Sequence, residues 1–279
     1  MSVEAIRPGV SVGAGGRVND LARKVWSVSW PKLLAVGIAL GLWELAFLSH
    51  WKPDFLLPSP ITTLSTLKEI VTENIFWREV HTTLQRGVVG FFFALVIGSA
   101  IGIAVSQWRV LRVGVGSMVT GLQTMPSIAW FPLAILLFGL RESAIMFVII
   151  LGAAPSIANG IISGIDEVPP ILLRAGHMLG ARGVNRYRHV VLPAALPSYI
   201  SGLKQGWAFA WRSLMAGELL VLIPEHPSLG GALSLARTSL QSDRLLAFMI
   251  VILIIGMVID AIFSSLSKFV RERRGLTGL

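Results

Sequence analysis

Long apolar stretches, separated by short polar connections, make up most of this chain. Six of these stretches approach or exceed the ~20 mostly apolar residues that an α-helix needs to cross a lipid bilayer. They cover residues 33–49, 87–106, 113–138, 143–165, 194–223 and 246–266. A helix is the expected structure of each stretch, because a helix satisfies its own backbone polar groups in lipid. The pattern therefore predicts an all-α integral membrane protein with about six transmembrane helices.

Proline residues interrupt the two central apolar stretches. Pro126 and Pro132 fall in the third stretch and Pro155 in the fourth, and each removes a backbone donor. Membrane helices tolerate this loss where a neighbouring helix or a cavity re-satisfies the backbone, so a broken helix can line a pathway. The other interpretation is ordinary packing, since proline is common in membrane helices. Three side chains around the first proline are candidates for the lining of a translocation pathway: Met125, Ser127 and Trp130.

The polar segments predict two tails and one surface helix. Residues 1–32 combine glycine, serine and proline with five basic residues, which predicts a disordered cytoplasmic tail, and residues 272–279 are expected to form a cytoplasmic tail at the other end of the chain. The connection after the first span opens with three prolines and then repeats leucine, isoleucine and valine at helical spacing. This pattern predicts an amphipathic helix at the outer surface. Residues 33–85 would thus form the first transmembrane helix and an outer segment.

Composition and charge support a membrane location. Of the 279 residues, 54% are hydrophobic and 14% are charged, whereas a soluble domain carries about 25% charged residues. With the N-terminus in the cytoplasm, 15 lysine and arginine residues fall on the cytoplasmic side and seven on the other side. The positive-inside rule then places both termini in the cytoplasm. The net charge of +9 follows from this distribution and does not indicate nucleic acid, which needs a basic face on a soluble fold.

The sequence lacks the residues that disulfides, metal sites, common catalytic sites and a phosphate-binding loop require. The chain has no cysteine, so it predicts neither disulfides nor a thiolate metal site. We find no cluster of metal ligands, no set of serine, histidine and aspartate and no pair of central carboxylates, and therefore expect no metal site and no catalytic residue. No phosphate loop of the form Gly-x-x-x-x-Gly-Lys-Ser/Thr occurs, so this chain cannot hold ATP by that mechanism.

Ionisable residues inside the predicted spans are costly in lipid and by default mark functional positions. Arg212 lies near the middle of the fifth span, where its forked donors suit the oxygens of a passing sulfonate or nitrate. The alternative is a structural ion pair with Glu218, Asp260 or another helix. Lys204 and Asp260 stand at comparable distances from the cytoplasmic ends of their spans, which predicts an ion pair between these two helices. Glu218 lies close to an outer end, where we expect water to reach it and its role to be packing or capping.

The longest cytoplasmic connection, residues 166–193, is punctuated like a small folded unit. Two prolines ending at Pro170 can start a helix, and Gly180 can supply the positive φ angle that ends it. A second helical piece over residues 184–191 is expected to stop at Pro193. The alternative is a solvated basic connector that obeys the positive-inside rule, which accounts for the arginines but not for the spacing of glycine and proline.

The spacing of small residues in this loop carries a resemblance. The loop reads Arg-Ala-Gly, three residues, Gly, nine residues and Val-Val-Leu-Pro. This resembles the EAA loop of binding-protein-dependent ABC importer permeases, whose pattern is Glu-Ala-Ala, three residues, Gly, nine residues and Ile-x-Leu-Pro. The resemblance implies a coupling helix that docks on a cytoplasmic ATPase, with an arginine in place of the family glutamate and a glycine in place of the second alanine. The residues concerned are Arg174, Ala175, Gly176, Gly180, Val190, Leu192 and Pro193.

Further stretches resemble the nitrate, sulfonate and taurine branch of these permeases. They are Leu-Pro-Ser-Pro at residues 57–60, the proline-containing third span at 123–139, and AFAWRSLMAGE at 208–218 followed by Leu229 and Gly230. The resemblance covers roughly residues 86–271, which we predict to be the transport domain. It implies the type I ABC importer permease fold.

The resemblance also implies an assembly and a cargo. Such a permease works in the cell membrane as a dimer, here of two identical copies, with separate ATPase subunits that bind ATP and magnesium and an external substrate-binding protein. No cofactor is expected in this chain. The cargo would be a small anion, an aliphatic sulfonate or taurine and otherwise nitrate, imported by alternating access. The alternative is a secondary transporter driven by an ion gradient, which would place carboxylates in broken helices, often in two related halves; we find no repeat between the halves.

Overall fold

The structure is a computed structural model that describes residues 14–273, including their side chains except those of residues 14–25, 27–29 and 109. The predicted tail residues 1–13 and 274–279 lie outside the described range. The chain divides into two compact units, one ending at Thr62 and the other beginning at Thr63.

The first unit contains one long helix, α1, at Ala14–Leu48. Its part Trp30–Leu48 is long and apolar enough to cross a membrane, in agreement with the first predicted span. The helix begins well before that span, so residues 14–32 are helical where the sequence predicts a disordered tail. No glycine or proline lies between Gly16 and Pro31, so residues 17–30 lack the two poorest helix formers, and α1 includes Pro31 itself.

The second unit is helical, with no strand among its described residues. A 3-10 turn at Ser127–Trp130 and a π turn at Tyr187–Val191 join some of the helices. The α-helices that follow α1 are α2 Pro60–Thr72, α3 Asn74–Gln107, α4 Arg109–Thr124, α5 Phe131–Phe138, α6 Glu142–Asp166, α7 Pro170–Met178, α8 Gly183–Arg186, α9 Leu192–Leu220, α10 Leu229–Thr238 and α11 Ser242–Arg273. The predicted all-α fold is confirmed.

Four of the described helices are long and apolar enough to cross a membrane, namely α3, α6, α11 and part of α1. A fifth span arises if the bent pair Val110–Thr124 and Ser127–Phe138 counts as one. The remaining predicted span, the fifth along the chain at residues 194–223, corresponds to α9, whose 29 residues extend ~43 Å at 1.5 Å per residue. Lys204, Arg212 and Glu218 are distributed along this helix.

Helix α6 lies at the centre of the second unit, packed between α3 and α9. A Cβ atom added to Gly98 of α3 would lie 2.5 Å from Ala154 O of α6. On the other side, a Cβ atom added to Gly160 of α6 would lie 2.7 Å from Gly202 Cα of α9. Membrane helices depend on such close packing, because lipid gives no hydrophobic driving force for their association. The spacing of these three helices therefore depends on residues that lack a side chain.

The third predicted span is broken. Helix α4 ends at Thr124, and the next helical turn begins at Ser127 in a direction that differs by 105°. Met125 and Pro126 between them are extended, with ψ angles of 129° and 126°. Pro126 keeps its predecessor out of the helical conformation, because the proline ring clashes with the backbone of that residue. The bend is thus sharper than the tilt or kink that the length of this span suggests.

Helix α2 is the amphipathic helix that the sequence predicts. Its Ile70 is buried in one apolar cluster with Phe76 of α3 and Leu229 of α10. Beside this cluster, Arg244 Nη2 of α11 lies 2.7 Å from Glu73 Oε1. These contacts join α2 to the ends of three other helices, while its placement at the outer surface stays a prediction.

Candidate functional site

A cavity of about 330 Å³ opens where the third span is broken. Residues of α4, α6 and α9 form its walls together with the turn that follows the break. The structure brings all four predicted pathway residues to this cavity: Met125, Ser127, Trp130 and Arg212. Gln123 and Thr124 of α4, which the sequence analysis did not single out, add polar groups to the wall. The cavity is therefore a candidate site for a polar ligand, and a role of these residues in transport stays a prediction.

Arg212 is the one cationic side chain among the described residues that line this cavity. Its Nε atom donates to Ala208 O at 3.2 Å, and its guanidinium lies 4.8 Å from the centre of the Phe209 ring. It forms no ion pair with Glu218, Asp260 or any other described residue, so the structure does not contain the ion pair that the sequence analysis gives as the alternative to substrate contact. Glu218 lies six residues further on and therefore on another face of α9, and Asp260 is paired with a lysine.

A polar contact joins α4 to α6 beside the cavity. Gln123 Nε2 donates to Ser156 Oγ at 2.7 Å, and Asn159 Nδ2 donates to Gln123 Oε1 at 3.5 Å. Amide and hydroxyl groups in a membrane helix need such partners, because lipid supplies none. The contact therefore fixes the end of α4 next to the break.

A larger apolar groove of about 920 Å³ runs beside the cavity. It lies between α9, α10 and α11, and its lining includes Trp211 of α9 and Met249 of α11. Ile128 and Arg212 border both the groove and the cavity. The guanidinium therefore stands where an apolar groove meets a polar cavity, an arrangement that suits an anion with an apolar portion.

The ion pair predicted between Lys204 of α9 and Asp260 of α11 is present. Lys204 Nζ lies 3.2 Å from Asp260 Oδ1 and donates to Ser264 Oγ at 2.8 Å. Both charged side chains are partly exposed, so the pair joins the two helices near their surface and not inside the core. A structural role for this pair stays a prediction.

Glu218 is completely buried, contrary to the expectation that water reaches it. Arg86 Nη1 lies 3.0 Å from Glu218 Oε1, while Thr83 Oγ1 and Gly230 N donate to Oε2 at 2.9 and 3.0 Å. A buried carboxylate needs such partners to offset its lost hydration. The expectation fails because α3 begins at Asn74 and not near residue 87, so its first turns cover the end of α9.

Arg86 stands at the centre of this cluster, and the sequence analysis did not single it out. It is 4% exposed and also binds Glu142 of α6, with Nη2 2.5 Å from Oε1 and Nε 2.8 Å from Oε2. In the sequence analysis, Arg86 is counted among the seven basic residues on the side opposite the cytoplasm, in the connection that follows the first span. A signal was available, since Glu79, Thr83 and Arg86 continue the buried face of Gly90 at spacings of three and four residues, which is the spacing of one helix face.

The loop that resembles the EAA segment has the helix and turn that the sequence predicts. Helix α7 begins at Pro170, and Gly180 after it has a φ angle of +81°. Gly180 N donates to His177 O at 3.0 Å and Ala181 N donates to Gly176 O at 2.9 Å, which together form a Schellman turn. Glycine suits the left-handed position because it has no Cβ atom. The predicted helix-ending role of Gly180 is confirmed.

Gly176 and Val190 pack against each other between the two limbs of this loop. A Cβ atom added to Gly176 would lie 2.7 Å from Val190 Cγ2. This close approach is a physical reason for glycine where the family pattern has its second alanine. A cleft of about 370 Å³ lies beside the contact, between Leu179 and His189.

The sequence predicts that the second helical piece of the loop stops at Pro193, but in the structure the helix continues past this residue. Helix α8, the π turn and α9 follow one another without a break, and Leu192 is already helical. Pro193 comes directly after the π turn, in which Leu192 N donates to Tyr187 O, and such a local change of helix type lets a continuous helix accommodate a proline. Leu192 and Pro193 therefore belong to the beginning of α9.

The outward surface of this loop is apolar and basic. Met178 and Leu179 are 85% and 88% exposed, and Arg174 and Ala175 are exposed on α7. No aspartate or glutamate occurs from residue 168 to residue 217, so beyond its first two residues the loop has no carboxylate of its own to pair with its arginines. Exposed apolar residues bordered by charges are typical of a contact site for another protein.

A family model for binding-protein-dependent transport system inner membrane components matches residues 89–274. Over 233 residues the chain is 30% identical to a putative ABC transporter permease protein of Methanocaldococcus jannaschii, covering 82% of this chain and 86% of the relative. It is 29% identical over 244 residues to the taurine transport system permease protein TauC of Escherichia coli, covering 84% and 87%. It is 23% identical over 253 residues to the nitrate import permease protein NrtB of Synechocystis, covering 86% and 90%.

Solved structures share the fold. One is an inward-facing MetNI methionine ABC transporter, with a TM-score of 0.60 and 21% identity over 70% of this chain and 96% of that chain. Another is an amino acid ABC transporter crystallised with histidines, with a TM-score of 0.53 and 19% identity over 75% and 97% of the two chains. At this identity the likeness concerns the fold alone.

Proposed function

Since this chain belongs to the family of binding-protein-dependent transport system inner membrane components, we propose that it moves a small oxyanion into the cell by alternating access. It is an ABC permease of the nitrate, sulfonate and taurine branch with the type I ABC importer permease fold. It is a multi-pass protein of the inner membrane, and its family works with an ATPase and a substrate-binding protein.

One observation carries the proposed anion pathway: an exposed guanidinium with no ion-pair partner among the described residues lies at a cavity in a broken span. No described carboxylate binds the Nη groups of Arg212, while Gln123 and Ser127 supply neutral polar groups to the same cavity. A planar, permanently charged fork suits the oxygens of sulfonate or nitrate. We assign Met125, Ser127, Trp130 and Arg212 to the pathway.

The groove beside the cavity favours an aliphatic sulfonate or taurine over nitrate as the cargo. Arg212 borders both spaces, so an anionic head group at its guanidinium can extend carbon atoms along the side chains of Trp211 and Met249. Burial of such carbon atoms is favourable by about 0.8 kcal/mol per methylene group. Nitrate has no apolar portion that could use this groove.

The loop around α7 is the proposed contact with the ATPase. Its exposed Met178 and Leu179 can enter an apolar groove of a partner, and the turn at Gly180 holds them at the end of α7. The positive charge of Arg174 requires a neutral or acidic surface opposite it, unlike the family glutamate. We assign binding of ATP and magnesium to that partner, with no cofactor, metal or catalytic residue in this chain.

The remaining features of the proposed assembly are two identical permease copies and cytoplasmic termini. The excess of basic residues on one side of the predicted spans supports this orientation. A secondary transporter is the other candidate, and it would need carboxylates at its broken helix. The described residues lining the cavity at the break include a cation and no carboxylate, which favours the ATP-driven importer.

Uptake of labelled substrate tests the proposed function. Cells with and without this gene receive an alkanesulfonate, taurine or nitrate, and the assay is repeated after the proton gradient is collapsed while ATP is maintained. We expect loss of alkanesulfonate or taurine uptake on deletion, and persistence of that uptake without the gradient. Uptake that vanishes with the gradient would instead support the secondary transporter.

A further inference from the structure

Helix α4 is weakly packed along its length. Val119 is the only buried side chain of α4 among those that the structure describes. Two polar contacts hold α4 to α6, one near each end of α4. Near the start, Arg112 Nη2 forms an ion pair with Asp166 Oδ1, and near the end Gln123 binds Ser156 Oγ at 2.7 Å.

The two contacts have the same spacing on both helices. Arg112 and Gln123 are separated by ~17 Å along α4, and Ser156 and Asp166 by ~15 Å along α6, at 1.5 Å per residue. Because the two helices run in opposite directions, the two contacts join α4 to α6 at two separate levels. The intact part of α4 between these contacts can transmit a displacement of one end to the other.

The two ends of α4 lie at the two functional regions of this chain. Asp166 is the last residue of α6, and α7 of the coupling loop begins four residues later at Pro170. At the other end, Gln123 lines the cavity and precedes the break at Met125 by two residues. Helix α4 therefore connects the entrance of the loop to the wall of the cavity.

A neighbouring contact links the same entrance to α9. Ser198 Oγ of α9 donates to Glu167 Oε2 at 2.8 Å, and α9 carries Arg212 at the opposite wall of the cavity. The consecutive residues Asp166 and Glu167 thus bind α4 and α9, the two helices that line the cavity together with α6. A shift of the loop entrance reaches both walls through these residues.

We propose that the ion pair between Arg112 and Asp166 transmits movement of the coupling loop through α4 to the cavity, with Arg112 as a positioning residue. This inference rests on the proposed function, because it requires that the loop moves with the ATPase. Both side chains are nearly half exposed, at 44% and 42%, and an ion pair so accessible to solvent contributes little to folding. Its loss should therefore affect coupling and leave the fold intact.

The absence of cysteine in this chain allows a direct test in the assembled transporter. The permease variant Ser127→Cys places a single thiol at the cavity, and its labelling rate by a charged methanethiosulfonate reagent is measured with and without ATP and vanadate. In proteoliposomes that contain the ATPase and the binding protein, uptake and ATP hydrolysis are measured in parallel. The variants are Arg112→Gln, Asp166→Asn and the exchange Arg112→Asp with Asp166→Arg.

We expect each single variant to hydrolyse ATP near the wild-type rate, to lose about tenfold in uptake and to lose the nucleotide-dependent change in labelling, in the range of measured coupling effects. The double variant Arg112→Asp with Asp166→Arg should restore both uptake and the nucleotide-dependent change in labelling. The matched control is Arg244→Gln, which breaks a comparably exposed ion pair with Glu73 and should keep uptake and labelling at wild-type values.

Three results would overturn the inference: wild-type uptake in Arg112→Gln, no recovery in the exchange variant, or an equal loss in Arg244→Gln. If the wild-type assembly transports none of the labelled anions, the proposed cargo fails. The labelling experiment then still decides the inference, because it needs ATP-dependent movement and no transported substrate. If labelling of the Ser127→Cys variant with Arg112 and Asp166 intact does not change with nucleotide, the inference is wrong as well.

Discussion

At the scale of single residues, two arginines of the bundle have opposite environments. Arg86 is buried and binds two carboxylates, those of Glu142 and Glu218, whereas Arg212 is exposed and binds no carboxylate in the described part of the chain. A buried charge is tolerated while its partners remain, and removing one partner leaves the other uncompensated. An unpaired guanidinium beside a cavity keeps its donors available for a ligand. The same residue type therefore serves structure at one position and, in our proposal, transport at the other.

Replacing Arg86 by methionine should destabilise the protein by about 3–5 kcal/mol, because Glu218 is left buried without a cation. The measurement is thermal unfolding of the purified protein in detergent, followed by tryptophan fluorescence. Arg141→Met, at an exposed arginine that precedes α6, is the control and should change stability by no more than about 0.5 kcal/mol. Equal melting temperatures for the two variants would contradict a structural role for Arg86.

Replacing Arg212 by glutamine should lower uptake about ten- to hundredfold, the loss expected for hydrogen bonds to a charged group. The melting temperature should stay unchanged, since Arg212 has no ion-pair partner among the described residues. The comparison variant is Arg237→Gln, whose arginine borders the apolar groove but not the cavity. Wild-type uptake in Arg212→Gln would remove this residue from the pathway.

At the scale of elements, glycine decides how closely the central helices approach. Helix α3 touches α6 at Gly98 and Gly102, where an added Cβ atom would lie 2.5 and 2.9 Å from carbonyl oxygens of α6. Backbone atoms cannot move aside as a flexible side chain can. The packing of α3 on α6 therefore depends on both positions.

The variant Gly98→Ala should destabilise the bundle by about 1–3 kcal/mol, the usual cost of overpacking. The matched control is Gly114→Ala on α4, where an added Cβ atom meets nothing within 4 Å, and alanine should stabilise the helix by up to about 1 kcal/mol. Thermal unfolding in detergent measures both. We expect the changes in stability of the two variants to have opposite signs. A stabilised Gly98→Ala variant would show that α3 and α6 are less close than in this structure.

The elements themselves could largely be predicted from the sequence. The apolar runs located the spanning helices, and glycine located the end of α7, because hydropathy and turn chemistry are local properties. The beginning of α3 at Asn74 escaped prediction, since its first turns are polar and their partners lie elsewhere in the chain. The continuation of α8 into α9 through Pro193 escaped it as well, because proline both ends helices and begins them.

At the scale of the whole molecule, the proposed mechanism requires that the protein binds different partners on the two sides of the membrane. The basic and apolar loop around α7 is assigned to the ATPase side, and the connections of α2, α10 and α11 to the opposite side. The candidate spanning helices, together with α9, are assigned to the crossings between the two sides. This orientation follows from the distribution of basic residues and can be measured directly.

Single introduced thiols test the orientation, because the natural chain contains no cysteine. We expect Gln241→Cys, at an exposed residue between α10 and α11, to react with a membrane-impermeant maleimide in intact spheroplasts. Met178→Cys, at the exposed end of α7, should react only after the membrane is permeabilised. The reverse result would place the α7 loop outside the cell and contradict its contact with a cytoplasmic ATPase.

The sequence by itself determined the membrane class, most of the spans, the loop pattern that carries the family resemblance and the residues around the broken helix. Apart from the pair of Lys204 and Asp260, only the tertiary structure decided which charges are paired: Glu218 is buried against Arg86, which lies 132 positions away along the chain, whereas Arg212 has no ion-pair partner among the described residues. The physical reason is that hydropathy and turn preference act over a few neighbouring residues. Burial and ion pairing depend on which helix faces meet, and a single sequence does not contain that distance information.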